Sequence, residues 1–391
     1  MQYRKDKKYG NELSVLGYGC MRFTKKHGVI DKEKAEREMY MALENGVNYF
    51  DTAYIYPGSE ACLGDFLAKG YRDRVYIATK LPHYLVKKIE DADKMFDEEL
   101  RRLKTDYIDY YLIHMLTDIE SFNRIMDMGM DEWIKKRKSD GRIKRIGFSY
   151  HGGAEGFIKI LNAYDWDFCQ IQFNYMDENS QAGISGLNAA AEKGIPVIIM
   201  EPLRGGRLAD GLPNGAKELF KKANPDLSPA MWGLKWVLNH EAVTVVLSGM
   251  NSEEQVKENL KVAEEAKPNM LNDEELSVYD KVRTEINKNL KVPCTGCGYC
   301  MPCPHNVDIP TCFRCYNVMA SDGWFNGMRE YMMNTAFRKV KTNASLCKKC
   351  GLCEKHCPQF IKIRDELSNV SKNMEGLPFK IAKAASKLVK F

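Results

Sequence analysis

The sequence has no run of about 18 apolar residues, the length that a membrane-spanning helix needs. Its first ten residues also lack the apolar segment of a secretory signal peptide. The net charge is only +5 over 391 residues, and acidic residues are interspersed among the lysines. These absences predict a cytoplasmic protein without a membrane span, and they argue against a nucleic-acid-binding protein.

Cysteine is scarce over most of the chain and crowded near its end. Only Cys20, Cys62 and Cys169 precede residue 290, whereas the other ten of the 13 cysteines follow it. Isolated thiols followed by a cluster indicate a reducing compartment rather than a disulfide scaffold. A chain of 391 residues also exceeds what one hydrophobic core usually covers. We therefore predict two domains, residues 1–290 and residues 291–391.

Two cysteine runs mark the second predicted domain. The later run has the spacing C-x2-C-x2-C-x3-C followed by proline, which bacterial ferredoxins use to bind iron-sulfur clusters. The earlier run has two residues between all its cysteines and is also followed by proline. The two runs predict two [4Fe-4S] clusters held by Cys294, Cys297, Cys300, Cys303, Cys347, Cys350, Cys353 and Cys357.

In runs of this type the last cysteine binds the other cluster. One predicted ligand set is therefore Cys294, Cys297, Cys300 and Cys357. The other set is Cys347, Cys350, Cys353 and Cys303, of which Cys303 departs from the usual spacing. Structural zinc held by four thiolates is the alternative reading of the cysteine pairs. Cys312 and Cys315 are predicted to be core cysteines, with substitution for one of the eight ligands as the alternative.

Short β-branched or aromatic runs alternate with helical patterns before residue 250. This alternation predicts parallel strands joined by helices, and eight strands predict a TIM (β/α)8 barrel. Helical periodicity over residues 309–340 predicts that a small, mostly α-helical ferredoxin-like domain follows. Residues 204–229, rich in Gly, Pro and Asn, are predicted to form a loop that could close over a cofactor. The predicted strands are residues 14–17, 47–51, 75–79, 107–113, 145–149, 168–172, 197–200 and 244–248.

Four proton-carrying residues lie at the carboxyl ends of three consecutive predicted strands, where such barrels carry their chemistry. They are Asp51, Tyr56, Lys80 and His114. We expect Asp51 to anchor Lys80, and Lys80 to lower the pKa of Tyr56, the candidate acid. His114 would orient a carbonyl oxygen.

This set resembles the aldo-keto reductase family, from about residue 3 to about residue 288. With its cysteine-rich tail, the chain is similar to the iron-sulfur-bearing branch of that family. The resemblance implies reduction of a small aldehyde or ketone by hydride transfer from a nicotinamide dinucleotide. The family binds this cofactor without a Rossmann domain, so the absence of a G-x-G-x-x-G run does not count against it.

The resemblance also implies residues that bind the dinucleotide. Ser149 and Gln170 correspond to residues that bind the carboxamide, and Met200 replaces an aromatic residue that stacks on the nicotinamide. Gly249 and Gln255 stand where the family often has cations for a 2'-phosphate, so both NAD and NADP stay open. The full set is Gly19, Cys20, Met21, Ser149, Gln170, Met200, Pro202, Leu203, Arg204, Gly205, Ser248, Gly249, Gln255, Glu258 and Asn259.

A nicotinamide delivers two electrons as hydride, whereas a [4Fe-4S] cluster accepts one electron at a time. Either the clusters are structural or serve another partner, or a flavin in the barrel divides the electron pair. The alternative function is accordingly an electron-transfer protein that relays electrons from a nicotinamide or flavin through its clusters to a ferredoxin-type partner. The sequence shows no flavin motif and does not indicate the oligomeric state.

Overall fold

The structure, a computed structural model, describes residues 1–288, 290–294, 296, 298–338, 340–357 and 359–385. The chain forms two compact units. The first comprises Met1–Glu178 and Ala182–Val282, and the second comprises Asn179–Gln181 and Arg283–Phe391. The division after Val282 precedes the boundary that we predict at residue 290, and that boundary stays a prediction.

The first unit contains the predicted barrel of eight parallel strands. Neighbouring strands follow the chain order, and the last strand pairs with the first, which closes the sheet. The barrel strands are β3 (Leu16–Gly19), β6 (Tyr49–Asp51), β7 (Tyr76–Pro82), β8 (Ile108–Leu116), β9 (Ile143–Tyr150), β10 (Phe168–Gln172), β11 (Val197–Met200) and β12 (Val243–Ser248). Each overlaps a predicted strand, so the predicted (β/α)8 architecture is confirmed.

The first barrel strand begins later than the sequence predicts. Residues 12–14, which precede it, pair instead with the chain start in an antiparallel hairpin of β1 (Tyr3–Lys5) and β2 (Glu12–Ser14). A second hairpin, β4 (Lys25–Lys26) with β5 (Val29–Ile30), follows the first barrel strand. Both hairpins are missing from the prediction because short polar strands carry little hydrophobic periodicity.

Helices connect the barrel strands in the first unit. Several begin at side-chain caps that the sequence supplies: Asp31 accepts the Lys34 N–H at the start of α1, and Ser228 accepts the Met231 N–H at the start of α9. The helices are α1 (Lys32–Glu44), α2 (Ser59–Leu67), α3 (Ile89–Leu103), α4 (Ile119–Met126), α5 (Met130–Ser139), α6 (Ala154–Ala163), α7 (Gly183–Glu192), α8 (Asn214–Ala223), α9 (Pro229–Leu238), α10 (Glu253–Glu265) and α11 (Asp273–Asn287).

The segment that we predict as a loop over residues 204–229 contains the helix α8. This prediction was wrong because Gly211, Pro213 and Asn214 suggested turns, although Ala216 and Phe220 of the same segment are buried at helical spacing. The bore of the barrel is filled by large side chains, among them Tyr49, Tyr110 and Phe168. The polar groups of the strand ends therefore lie above a packed core.

In the part of the second unit that the structure describes, all regular secondary-structure elements are helices, as predicted. Its core includes Phe313, Tyr331 and Leu367. Six of the candidate ligand cysteines pack against this core, Cys353 from the short helix Leu352–Lys355 and the other five from irregular segments. Among the described residues, no helix of either unit is long and apolar enough to cross a membrane. The helices of the second unit are α12 (Ile309–Asp322), α13 (Trp324–Tyr331), α14 (Leu352–Lys355), α15 (Ile363–Met374) and α16 (Leu377–Ala385), with a π-helical turn at Met332–Ala336 and a 3-10 turn at Ala344–Leu346.

Replacing Gly64 with alanine tests the close packing of α2 against α3. A Cβ atom at Gly64 would lie 2.1 Å from the Arg102 carbonyl oxygen. A Gly→Ala change inside a helix normally stabilises it, but here we expect the free energy of unfolding to fall by about 2 kcal/mol. Chemical denaturation measures it. Gly153→Ala, where a Cβ meets nothing within 4 Å, should change stability by at most about 1 kcal/mol; equal effects of the two would contradict the packing argument.

Candidate active site

An ion pair between Lys80 and Asp51 lies at the mouth of the barrel. The Lys80 ammonium is 2.5 Å from Asp51 Oδ1 and donates a second hydrogen bond to the Thr52 carbonyl oxygen, also at 2.5 Å. Both side chains are buried. Asp51 is the last residue of β6, and Lys80 lies two residues before the end of the adjacent strand β7. Parallel pairing of these strands therefore brings the two charges together.

Tyr56 and His114 approach the same ammonium group. The Lys80 Nζ atom is 5.4 Å from the centre of the Tyr56 ring. The Tyr56 and His114 rings meet edge to face, with their centres 6.0 Å apart. Tyr56 follows β6 in a short turn, and His114 lies on β8 opposite Pro82 of β7. The structure thus brings together all four residues of the predicted acid-base set.

The predicted direction of the Tyr56 pKa was wrong. Burial raises the pKa of Tyr56 above its ordinary value, and the negative charges of Asp51 and Glu201 raise it further. The sequence does not show this, because the burial of Tyr56 depends on the folded chain; the Lys80 charge, which is paired with Asp51, does not outweigh it. Tyr56 therefore holds its proton at neutral pH.

His114 is a neutral, buried imidazole. Burial lowers its pKa well below the ordinary value, and the positive charge of Lys80 lowers it further. Its Nδ1 atom is buried and has no hydrogen-bond partner among the residues that the structure describes. A neutral imidazole carries one N–H donor and one acceptor, so this ring can donate a hydrogen bond to an incoming group.

Gln170 and Ser149, the predicted carboxamide residues, hold parts of this site. Gln170 donates from Nε2 to Asp51 Oδ2 at 2.9 Å, so both oxygens of the carboxylate have partners. Ser149 Oγ accepts the Met115 N–H at 2.8 Å. The Gln170 Oε1 atom and the Ser149 hydroxyl proton take no part in these two bonds.

Met115, next to His114, has a left-handed backbone with a φ angle of 61°. Such a conformation is unfavourable for a long side chain. It is held from both sides: Ser149 accepts its N–H, and the His83 Nε2 atom lies 3.3 Å from its carbonyl oxygen. Arg124 donates to His83 Nδ1 at 2.9 Å and to the His83 carbonyl oxygen at 2.7 Å. Sequence patterns gave no sign of this chain of contacts.

Arg22 is a site residue that the sequence analysis missed. It ends the 3-10 turn Cys20–Arg22 that follows β3, in which Cys20 is buried and Met21 is exposed. A Cβ atom at Gly205 would lie 2.6 Å from the Arg22 Nη2 atom, and one at Gly249 would lie 3.2 Å from its Cβ. Among the described residues Arg22 forms no ion pair, so its guanidinium lies free between loops of the first, seventh and eighth strands.

Met200 is the last residue of β11, and the loop that follows contains Pro202, Leu203, Arg204 and Gly205. Pro202 is buried, and Leu203 packs against Gly233. Arg204 is not a free cation. It forms a two-point ion pair with buried Asp177, in which Nε is 2.7 Å from Oδ2. Asp177 carries no sequence signal that would have revealed this pairing.

The predicted cofactor-binding residues on β12 and on the helix α10 that follows form separate hydrogen-bonded pairs. Asn259 donates to Ser248 Oγ at 2.9 Å. Glu258 accepts from the Ser228 hydroxyl at 3.0 Å, and exposed Gln255 accepts the Asn251 N–H at 3.0 Å. A Cβ atom at Gly19 would lie 3.3 Å from the Ser248 carbonyl oxygen, so β3 and β12 approach closely at this point.

Three predicted cluster ligands line one pocket in the second unit. They are Cys294, Cys300 and Cys357, which belong to one predicted ligand set. The fourth member, Cys297, lies outside the described residues, as does Pro358. In the other set, Cys353 lies near Cys347 and Cys303. Burial raises the pKa of Cys353 to about 11. Cys350 is exposed.

Cys312 and Cys315 lie in the core of the second unit. Both are fully buried, Cys312 Sγ is 3.7 Å from the Thr342 carbonyl oxygen, and burial raises the pKa of both thiols. They do not line the cysteine pocket. Within the residues that the structure describes, no three His, Cys, Asp or Glu side chains converge to hold a single metal ion.

The buried His83 predicts a pH-dependent stability. Burial, together with the nearby Arg124 charge, lowers the pKa of His83 from 6.5 to about 4. The unfolded chain therefore binds a proton more readily, and stability is lost as the pH falls from about 6.5 to about 4, by on the order of 3 kcal/mol for this residue. His83→Gln should reduce that loss in denaturation experiments at several pH values. His27→Gln, at an exposed histidine, should leave the slope unchanged; identical slopes for both variants would contradict the assignment.

The comparisons with known proteins concern the barrel. The sequence model of the Aldo/keto reductase family matches residues 15–282. An L-galactose dehydrogenase from Arabidopsis thaliana is 27% identical over 311 residues, covering 73% of this chain and 94% of its own. The NADH-specific methylglyoxal reductase of Escherichia coli is 25% identical over 278 residues, covering 60% of this chain and 84% of its own.

A solved structure shows the same architecture. An aldo-keto reductase from Bacillus halodurans, in its holo form, is 27% identical with a TM-score of 0.58, covering 72% of this chain and 96% of its own. The family match spans more than half of the chain and ends at residue 282, where the first unit ends. The chain therefore belongs to the aldo/keto reductase family.

Proposed function

We propose that this protein reduces a small aldehyde or ketone by hydride transfer from NADH or NADPH, with Tyr56 as the acid. The observation that carries the proposal is the buried Lys80–Asp51 ion pair, which holds an ammonium group 5.4 Å from the Tyr56 ring. A structural ion pair alone would not explain why a tyrosine meets, at the same ammonium, a neutral histidine whose buried Nδ1 has no partner among the described residues. Together they form a site for placing a carbonyl oxygen.

In this proposal the residues of the site transfer a proton and stabilise the charges that result. A carbonyl that accepts hydride becomes an alkoxide, which is far more basic than a phenolate, so Tyr56 donates its proton downhill despite its raised pKa. Lys80 then stabilises the phenolate, and Asp51 keeps Lys80 charged and in place. His114 donates a hydrogen bond to the substrate oxygen, because its ring stays neutral at neutral pH.

The nicotinamide dinucleotide would supply the hydride, and the barrel mouth fits it. Arg22, which forms no ion pair among the described residues, offers its guanidinium to the pyrophosphate, and Gly205 and Gly249 leave the space around it free of side chains. Ser149 and Gln170 retain hydrogen-bonding groups for the carboxamide, and Met200 offers a thioether contact to the ring. Arg204, which is paired with Asp177, would instead hold the loop in position.

The proposal covers both dinucleotides. Neither Gly249 nor Gln255 supplies a cation for a 2'-phosphate, which favours NAD. The Escherichia coli relative is NADH-specific by name, whereas a Schizosaccharomyces pombe relative that is 25% identical is named for NADP(+), so the names support both dinucleotides. The names of the two relatives, which refer to L-galactose and methylglyoxal, support a small, polar carbonyl compound as the substrate class.

Replacing Tyr56 with phenylalanine should lower kcat for carbonyl reduction by about 100-fold to 10,000-fold, because the acid is lost. Dinucleotide binding, followed by quenching of nicotinamide fluorescence, should persist. Tyr54→Phe serves as the matched control, since the Tyr54 ring packs beneath the Arg102 guanidinium instead of facing Lys80. Retention of full activity in Tyr56→Phe would refute the assignment of the acid.

We also propose that the second unit binds two [4Fe-4S] clusters, which supply one-electron chemistry. Cys294, Cys300 and Cys357 line one pocket although Cys357 lies more than 50 residues away in sequence, the arrangement expected when the last cysteine of one run crosses to the other cluster. Cys297 would complete this set. Cys303, Cys347, Cys350 and Cys353 would hold the other cluster.

Two serine variants distinguish cluster ligands from core cysteines. Cys300→Ser should lose about half of the roughly eight irons expected per chain after anaerobic reconstitution, because one of two clusters loses a ligand. Cys315→Ser, at a buried cysteine outside the pocket, should keep its iron and visible absorbance. Iron and sulfide analysis of the two variants distinguishes ligands from core cysteines. Zinc without sulfide in the unmodified protein would overturn the cluster proposal.

A second candidate function is electron relay, in which a barrel-bound nicotinamide or flavin exchanges electrons through the clusters with a ferredoxin-type partner. Exposure of Cys350 favours it, because a ligand at the surface places a cluster within reach of another protein. The acid-base set at the barrel mouth favours carbonyl reduction as the main activity.

A further inference from the structure

Two aromatic side chains are exposed beside the cysteine pocket of the second unit. Tyr299 is 68% exposed and Phe360 is 89% exposed. Tyr299 lies between Gly298 and Cys300, and Phe360 lies between Gln359 and Ile361; all four neighbours line the pocket that contains Cys294 and Cys357. The two aromatic residues therefore flank the predicted position of one cluster.

The backbone of Phe360 is strained. Its φ angle is 52°, a left-handed conformation that is unfavourable for a bulky residue. Its ring forms no aromatic contact among the described residues, and its exposure shows that little packing offsets the cost. A large apolar side chain held out into solvent by an unfavourable backbone is unexpected if the segment serves only its own fold.

The charge around Phe360 is mainly positive. Lys355 and Lys362 are exposed on either side of it, and neither forms an ion pair among the described residues. Among the nearby acids, Glu354 is paired with Arg364 at 2.7 Å, and Asp365 and Glu366 follow three and four residues after Lys362. Two further exposed lysines, Lys348 and Lys349, precede the exposed Cys350. A solvated surface needs no apolar centre, whereas an interface usually has one surrounded by charges.

We propose that Tyr299 and Phe360, with Lys355 and Lys362, form the docking surface for a small acidic one-electron carrier protein. The apolar rings would contact the carrier at the centre, and the lysines would pair with its carboxylates. Cys294, Cys300 and Cys357 would hold a cluster that could accept one electron from the reduced carrier at this surface; the carrier would be oxidised by one electron, and no bond would form or break. This step rests on the clusters of the proposed function.

The test uses the anaerobic holoprotein and an acidic ferredoxin. Binding of the oxidised ferredoxin is measured by calorimetry, and reduction of the clusters by reduced ferredoxin is followed by stopped flow. The Lys355→Glu/Lys362→Glu double variant should weaken binding and slow reduction by about tenfold at low ionic strength, and less at high ionic strength. Phe360→Asn, which tolerates the left-handed backbone, should slow reduction several-fold.

Two controls keep the measurement specific. Lys372→Glu changes an exposed lysine of α15, and Phe325→Asn removes a ring that is 73% exposed on α13; both should behave as the unmodified protein. Reduction by dithionite should be the same in every variant. Equal slowing of the dithionite reaction would contradict the proposal, because the variants would then act on the clusters themselves.

The experiments distinguish a wrong docking surface from a wrong cluster proposal. Absence of iron and sulfide would remove the clusters, whereas calorimetry still reports whether ferredoxin binds at this surface. If the unmodified protein binds no ferredoxin, or if the variants bind it equally well, the docking surface is refuted whatever the iron content.

Discussion

The organisation of the barrel mouth depends on the buried ion pair between Lys80 and Asp51. Two charges removed from water are costly unless each finds close partners, and removal of one partner from such a pair typically costs about 3–5 kcal/mol. Here the ammonium also donates to the Thr52 carbonyl oxygen, and the carboxylate also accepts from Gln170. With its charge so compensated, Lys80 can lie beneath Tyr56 and His114 in a site that largely excludes water.

The second unit contains two classes of cysteine. Cys312 and Cys315 are buried thiols on a helix and belong to the core, whereas the described candidate ligands are partly or fully exposed and, except for Cys353, lie outside regular helices. Loops with little regular structure owe much of their order to whatever their thiolates bind, since ligand binding and folding are coupled at such sites. The helical core gives these loops a fixed base, and the aromatic and basic residues between the cysteines are left for the surface.

Much of the barrel could be predicted because alternating strand and helix patterns are local, and because parallel strands bring their carboxyl ends to one rim. That rule predicts from the sequence that Asp51, Lys80 and His114 lie together. The rest depends on contacts between residues distant in sequence. Nothing local indicated that Arg22 would lie against Gly205, or that burial would outweigh the lysine charge at Tyr56. Likewise, cysteine spacing predicted the ligand sets, whereas exposure of Phe360 needed the folded chain.

The hydrogen bond between Gln170 and Asp51 joins strands on opposite sides of the ring. In the closed order of eight strands, β10 and β6 are four positions apart. This bond therefore crosses the diameter of the barrel, and the aromatic side chains of the bore are packed below it. Together they seal the lower half of the barrel against solvent. In the proposed function, a proton given up by Tyr56 would therefore be replaced from above, through the same opening that admits the substrate.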